Sequence, residues 1–205
     1  MLALFNIQNW LESGGLVLLG AIVFAESGLL VGFFLPGDSL LFISGFLSSS
    51  AGSNVLPPLP LVALVTMVCA IAGDQVGYWF GHRVGPALFD RPKSRVFNPK
   101  NVEKAHAFLE KYGAKTIVLA RFVPVVRTFA PIVAGVGKMN YRTFVLYNII
   151  GGVVWGGGIT TLGYFLGEVD FVKENIEIAS LAIVSLSIAP IAIEFIRHRR
   201  AAHQE

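Results

Sequence analysis

The chain has little charge. Of its 205 residues 14% are Asp, Glu, Lys or Arg, 54% are hydrophobic, and the mean hydropathy is +0.67. A soluble globular domain carries about 25% charge, so this composition excludes that class and reads as an integral membrane protein. Cysteine occurs once, as Cys69 inside an apolar run, which excludes an intrachain disulfide and reads as a small packed core residue. No Lys or Arg precedes Arg83, and the opening apolar run carries Glu26 at its middle, so it does not read as a cleavable signal peptide and Met1 is expected to stay with the chain. There is no H-E-x-x-H, G-x-x-x-x-G-K-[ST], C-x-x-C or G-x-S-x-G, and Ser, His and acid are not gathered in one block. The expectation is therefore a protein that is not an enzyme, with no catalytic set, metal site or cofactor.

What is present is apolar sequence, in stretches of about 15–50, 60–80, 116–166 and 178–196. A full crossing needs about 20 such residues, and no room is left for a soluble domain, so residues 1–205 read as one membrane domain. The basic residues arrive together: Arg83, Arg91, Lys93, Arg95, Lys100, Lys104, Lys111 and Lys115 face only Asp90, Glu103 and Glu110. The positive-inside rule places this connector, about 83–115, and the terminal "RHRR" in the cytoplasm. The segment "GEVDFVKENIE" has one lysine and is free to be external.

These sides constrain the run at about 116–139. A crossing there followed by another at 141–166 would invert most of the charge signals, whereas a segment that enters from the cytoplasm, turns and leaves on the same side keeps each basic cluster inside. Pro124 and Pro131 are expected to make that turn, since each removes a backbone donor and disfavours helix in the residue before it. The run at about 15–50, broken at Pro36 and Gly37, reads as the same device entered from outside. Broken backbone survives at membrane depth only against protein or a wet cavity. The expected fold is thus an all-α inverted repeat. It has two opposed re-entrant helical hairpins, about three full spanning helices including a C-terminal one at about 176–196, and amphipathic surface helices. The repeats fall at about 1–82 and 104–166, an arrangement by which many secondary transporters build a substrate site.

Inside the hairpins lie the charges. Glu26 and Asp38 are in "ESGLLVGFFLPGDSLL", and Arg121 and Arg127 in "ARFVPVVRTFAPIVAG". A charge at this depth costs about 2.5 to 3.5 kcal/mol on insertion scales and usually marks a site facing protein or water. The plainer alternative is a structural ion pair that locks the hairpins, and Asp38, directly after Pro-Gly, also suits an acceptor for turn amides. Asp74 either points into a cavity or bonds a neighbouring helix. Gly73, Gly77, Gly81 and Gly85, four residues apart, form a flat packing face that would also serve subunit contacts in an oligomer. Tyr78, Trp79, Trp155 and Tyr164 read as core or interfacial packing. His106 lies in "KNVEKAHAFLEKYG", which has helical spacing and whose lysines are placed to meet an anionic membrane surface rather than nucleic acid.

Three blocks, "E…PGDSLL", "GDQVGYWFGHRVG" and "ARFVPVVRTFAPIVAGVGKMNYRTFVLYNIIGGVVW", resemble in order and spacing the recurring blocks of the DedA family of bacterial VTT-domain membrane proteins, over roughly residues 15–165. The resemblance implies a protein of the bacterial cytoplasmic membrane acting as a lipid flippase or scramblase on a phosphate-bearing lipid, polyprenyl phosphate or glycerophospholipid, with proton-motive-force coupling. It matches the family's functional acids to Glu26 and Asp38, its arginines to Arg121 and Arg127, and its Pro-Gly turn to Pro36 and Gly37. Residue chemistry fits, since two guanidiniums six residues apart would frame one phosphate headgroup and the acids would pair with them and exchange protons. The competing readings are a proton-coupled antiporter of a small solute, using the same acids as proton carriers, and a non-transporting scaffold.

Overall fold

A computed structural model describes residues 2–28, 37–52, 55–88, 113–170 and 175. Among them every regular element is helical: α1 (Leu2–Gly28), α2 (Gly37–Leu47), α3 (Leu59–Leu88), α4 (Lys115–Ala120), α5 (Pro124–Val136), α6 (Tyr141–Gly152), a π-helical turn (Val153–Gly157) and α7 (Gly158–Gly167). Pro36, most of the basic connector with His106, and the expected C-terminal helix lie outside the described residues.

Two helices are long and apolar enough to cross a bilayer, Leu59–Gly85 and the continuous Tyr141–Gly167, 27 residues each. At about 1.5 Å per residue each spans about 40 Å, more than the roughly 30 Å of hydrocarbon. The other apolar helices are shorter, with 11 residues in α2, 6 in α4 and 13 in α5. Gly15, at φ 57 and ψ −148, kinks α1 and leaves a 14-residue apolar arm, Gly15–Gly28. Leu64, Val68, Leu146, Leu162 and Phe165 stand more than half exposed, so the bundle turns an apolar surface outward.

The break between α4 and α5 lies at neither of the two prolines expected to make a turn. It falls at Arg121–Val123, and Pro124 follows it as the first residue of α5, where a missing N–H costs nothing. Pro131 makes no turn but sits inside α5. Its ring is buried against α3 at Gly77, and it removes the donor that the Arg127 carbonyl would otherwise meet one turn on, so the helix continues while losing one bond beside a functional candidate.

Backbone approaches at glycine set the packing. A Cβ on Gly28 would lie 2.6 Å from the Gly73 carbonyl oxygen, and one on Gly73 2.6 Å from that of Phe24, so α1 and α3 cross with backbones touching. In the same way Gly45 of α2 abuts Thr160 and Tyr164 of α7, while Gly163 of α7 abuts Phe42 of α2. Gly81 of α3 meets Ile132 of α5, and Gly135 of α5 meets Tyr78 and His82 of α3. The four-residue glycine spacing on α3 is thereby accounted for by close packing within the chain, against α1 at Gly73 and α5 at Gly77, Gly81 and Gly85. One apolar core gathers Leu19, Val23, Leu41, Leu47, Val62 and Trp155; a second, around Tyr78, Ile117, Ala134 and Phe144, lies where α3 meets α4, α5 and α6.

Candidate functional site

The short helices bring the buried charges to the middle of this bundle. Glu26, in the last turn of α1, is 0% exposed and accepts the Gly37 backbone N–H at 3.2 Å, so its carboxylate caps the N-terminus of α2, where free N–H groups and the helix dipole favour an anion. A Cβ at Gly37 would overlap the Glu26 carboxylate and displace it from that contact. Asp38 follows in the first turn of α2.

Arg127, in the second turn of α5, reaches both acids: Nη2 donates to Glu26 Oε1 and Nη1 donates to Asp38 Oδ1 at 2.7 Å. Asp38 Oδ1 also accepts the Trp155 indole N–H at 2.9 Å, and the Trp155 ring lies under the Arg127 guanidinium, 4.6 Å from centroid to Cζ. Trp155 sits within the π-helical turn. Such a turn inserts an extra residue into the helix and re-aims its side chains, and it is frequent at functional sites.

Arg121 has a separate set of partners. Its Nη2 donates to Asp74 Oδ2 of α3 and to Asn148 Oδ1 of α6, each at 2.5 Å. Asn148 Nδ2 in turn donates to the Ile71 carbonyl at 3.0 Å, which fixes the orientation of the amide. The same Trp155 ring lies 6.0 Å from Arg121 Cζ, so one indole adjoins both guanidiniums. The sequence had suggested that Glu26 and Asp38 answer both arginines. The structure divides them, because Arg121 leaves the end of α4 toward α3 and α6 while Arg127 faces the C-terminal turn of α1 and the N-terminal turn of α2. Asp74 is accordingly bonded to a neighbouring element.

All five charged groups are at most 7% exposed. Three carboxylates face two guanidiniums, and the donors do not exhaust the acceptors or the reverse: Arg121 Nε, Arg127 Nε and Glu26 Oε2 are buried with no hydrogen-bond partner among the described residues. Groups this buried are ordinarily satisfied, so the arrangement holds spare capacity to bind. No cluster of three or more His, Cys, Asp or Glu capable of holding a metal occurs among the described residues. Asn148 and Trp155 were not singled out as functional from sequence. Asn148 carried a signal in principle, an amide in the apolar run "LYNIIGG", where a polar group needs a partner.

The VTT domain family matches residues 35–165, well over half the chain and the whole of this site except Glu26. The chain belongs to the DedA family of VTT-domain membrane proteins. It is 46% identical over 181 residues to Protein DedA of Escherichia coli, covering 88% of this chain and 82% of that protein. It is 49% identical over 182 residues to an uncharacterized membrane protein of Mycobacterium tuberculosis, covering 88% and 78%, and 46% identical over 172 residues to one from Mycobacterium leprae, covering 84% and 75%. No solved structure matches it at a significant level. This DedA-family chain is therefore a membrane protein, and its buried charges lie in an all-α bundle built for hydrocarbon.

Proposed function

We propose that the protein is a flippase- or scramblase-type translocator of a phosphate-bearing lipid in the bacterial cytoplasmic membrane. The observation that carries the reading is the pair of buried guanidiniums flanking one indole, each with an Nε–H that has no partner among the described residues. Arg binds phosphate oxygens through two parallel N–H donors and stays charged when buried, so a phosphate headgroup would exchange for carboxylate oxygens on Arg127 and for the Asp74 and Asn148 oxygens on Arg121. Glu26 and Asp38 hold Arg127 when no headgroup is present. With three carboxylates for two arginines, displacement of the acids leaves negative charge that a proton would neutralise, and this couples headgroup binding to proton uptake.

The packing supports an inverted repeat with two re-entrant hairpins. The second arm of each broken segment lies on the spanning helix of the other half, α2 on α7 and α5 on α3, each crossing through paired glycines. In that topology the 83–115 connector and the C-terminus are cytoplasmic, and the helix ends that flank the two breaks, carrying Glu26, Asp38, Arg121 and Arg127, lie at the usual place for a transported group in such folds.

The test is translocation of short-chain fluorescent phospholipids and of polyprenyl phosphate in proteoliposomes, with Arg121→Ala and Arg127→Ala beside the unaltered protein. Loss of movement in folded arginine variants is expected. Solute-dependent proton flux without any lipid movement would transfer the site to a small-solute antiporter.

A further inference from the structure

Away from the buried cluster, α3 and α6 enclose a groove of about 720 Å³ lined by Gln75, Tyr78, Trp79, His82, Arg83 and Tyr141. It lies where the two long apolar helices come together at one end, with the rings of Tyr78 and Tyr141 5.6 Å apart. Arg83 and Tyr141 are near the end of one 27-residue apolar helix and at the start of the other, and so at headgroup level in a bilayer. Trp79 and Tyr141 are 56% and 55% exposed.

The groove has a built polar side. Arg83 Cζ sits 4.0 Å over the Trp79 ring, which holds the guanidinium at the rim, and among the described residues no carboxylate pairs with it. Gln75, two turns back on the same face of α3, has a buried side-chain oxygen with no hydrogen-bond partner among the described residues. His82 stacks on Tyr78 at 6.0 Å, and Arg142, one residue beyond Tyr141, is not among the groove's lining residues. A guanidinium with no carboxylate partner among the described residues, an amide oxygen open to a hydroxyl donor and flat aromatic walls at this depth are complementary to one occupant: an anionic, hydroxyl-bearing phosphate headgroup above an acyl chain lying on Trp79.

We infer that this groove is a second lipid site, one that retains a phospholipid of net negative charge, its phosphate accepting from Arg83 and a headgroup hydroxyl donating to Gln75 Oε1, separate from the buried arginine and carboxylate cluster. It does not depend on translocation, because its readout is binding.

The experiment is contact quenching of Trp79. The full chain carrying Trp10→Phe, with or without Trp79→Phe to isolate the signal, is placed in phosphatidylcholine vesicles and titrated with brominated phosphatidylglycerol or brominated phosphatidylcholine. The site predicts about fivefold preferential quenching by the anionic lipid, the effect of one basic residue acting on anionic lipid. It also predicts near-equal quenching by the two lipids in Arg83→Gln and an unchanged preference in Arg142→Gln. Equal quenching by both lipids in the unaltered groove overturns the inference. So does a preference that survives Arg83→Gln, which would mean general surface attraction. Displacement of the lipid by millimolar glycerol 3-phosphate would assign the groove to a soluble phosphate instead.

Discussion

Replacing Asp74 by Asn keeps the shape of the side chain and removes its charge. Asp74 and Arg121 are joined at 2.5 Å with their side chains 5% and 3% exposed, so the variant leaves a buried guanidinium whose remaining described side-chain acceptor is Asn148. Removing one partner of a buried pair costs about 3–5 kcal/mol, and at about 2–4 °C per kcal/mol for a chain of this size the melting temperature should fall by roughly 6–20 °C. Because Asn still offers an oxygen, the lower half of that range is expected. Arg121→Gln in the Asp74→Asn background removes the orphaned charge and should return part of the loss, a coupling of about 0.5–3 kcal/mol between residues in contact. Thermal unfolding of detergent-solubilised protein by near-ultraviolet circular dichroism reads both. An Asp74→Asn variant within about 0.5 kcal/mol of the parent, or strictly additive single changes, would refute the claim that this pair is buried and mutually dependent.

Gly37→Ala should behave like a Glu26 variant, because its Cβ would occupy the place of the Glu26 carboxylate; translocation by the two variants, measured side by side, should be reduced alike. Gly163→Leu should separate α2 from α7, since even a Cβ there would lie 2.9 Å from the Phe42 Cα. The expected loss is at least the 1–3 kcal/mol typical of overpacking, read by the same unfolding assay. Trp155→Phe keeps a ring beside Arg127 but drops the bond to Asp38, which should cost about 1.5–3 kcal/mol as a hydrogen bond to a charged group. Lys138 has a left-handed φ of 52 in the turn between α5 and α6. Lys138→Asn should therefore be neutral or slightly stabilising, whereas Lys138→Val should lower stability by about 1–2 kcal/mol.

Much of the architecture was legible because membrane sequence is constrained by hydrogen bonding and charge. Long apolar runs gave the helices around Leu59–Gly85 and Tyr141–Gly167, and the four-residue glycine spacing on α3 gave a face that packs. Charge within apolar sequence marks Glu26, Asp38, Arg121 and Arg127 as candidates. The pairing among them was not legible, because it depends on which way α4 and α5 leave the Arg121–Val123 break. Pro131 misled for a physical reason: a proline marks a weak point in a helix, but packing against Gly77 holds α5 continuous through it. Asn148 and Trp155 were invisible as partners because an amide and an indole in apolar sequence are as often packing as ligand. Only the fold brings them from α6 and the π turn onto the two arginines.

The central claim is that the buried arginines recognise phosphate on a lipid. It is tested most directly in proteoliposomes by comparing transbilayer movement of a fluorescent phospholipid with that of a glycosyl diacylglycerol bearing the same acyl chains and no phosphate. The account predicts protein-dependent movement of the phospholipid alone, abolished in folded Arg127→Ala. Equal movement of both lipids, or phospholipid movement untouched by that substitution, would contradict it.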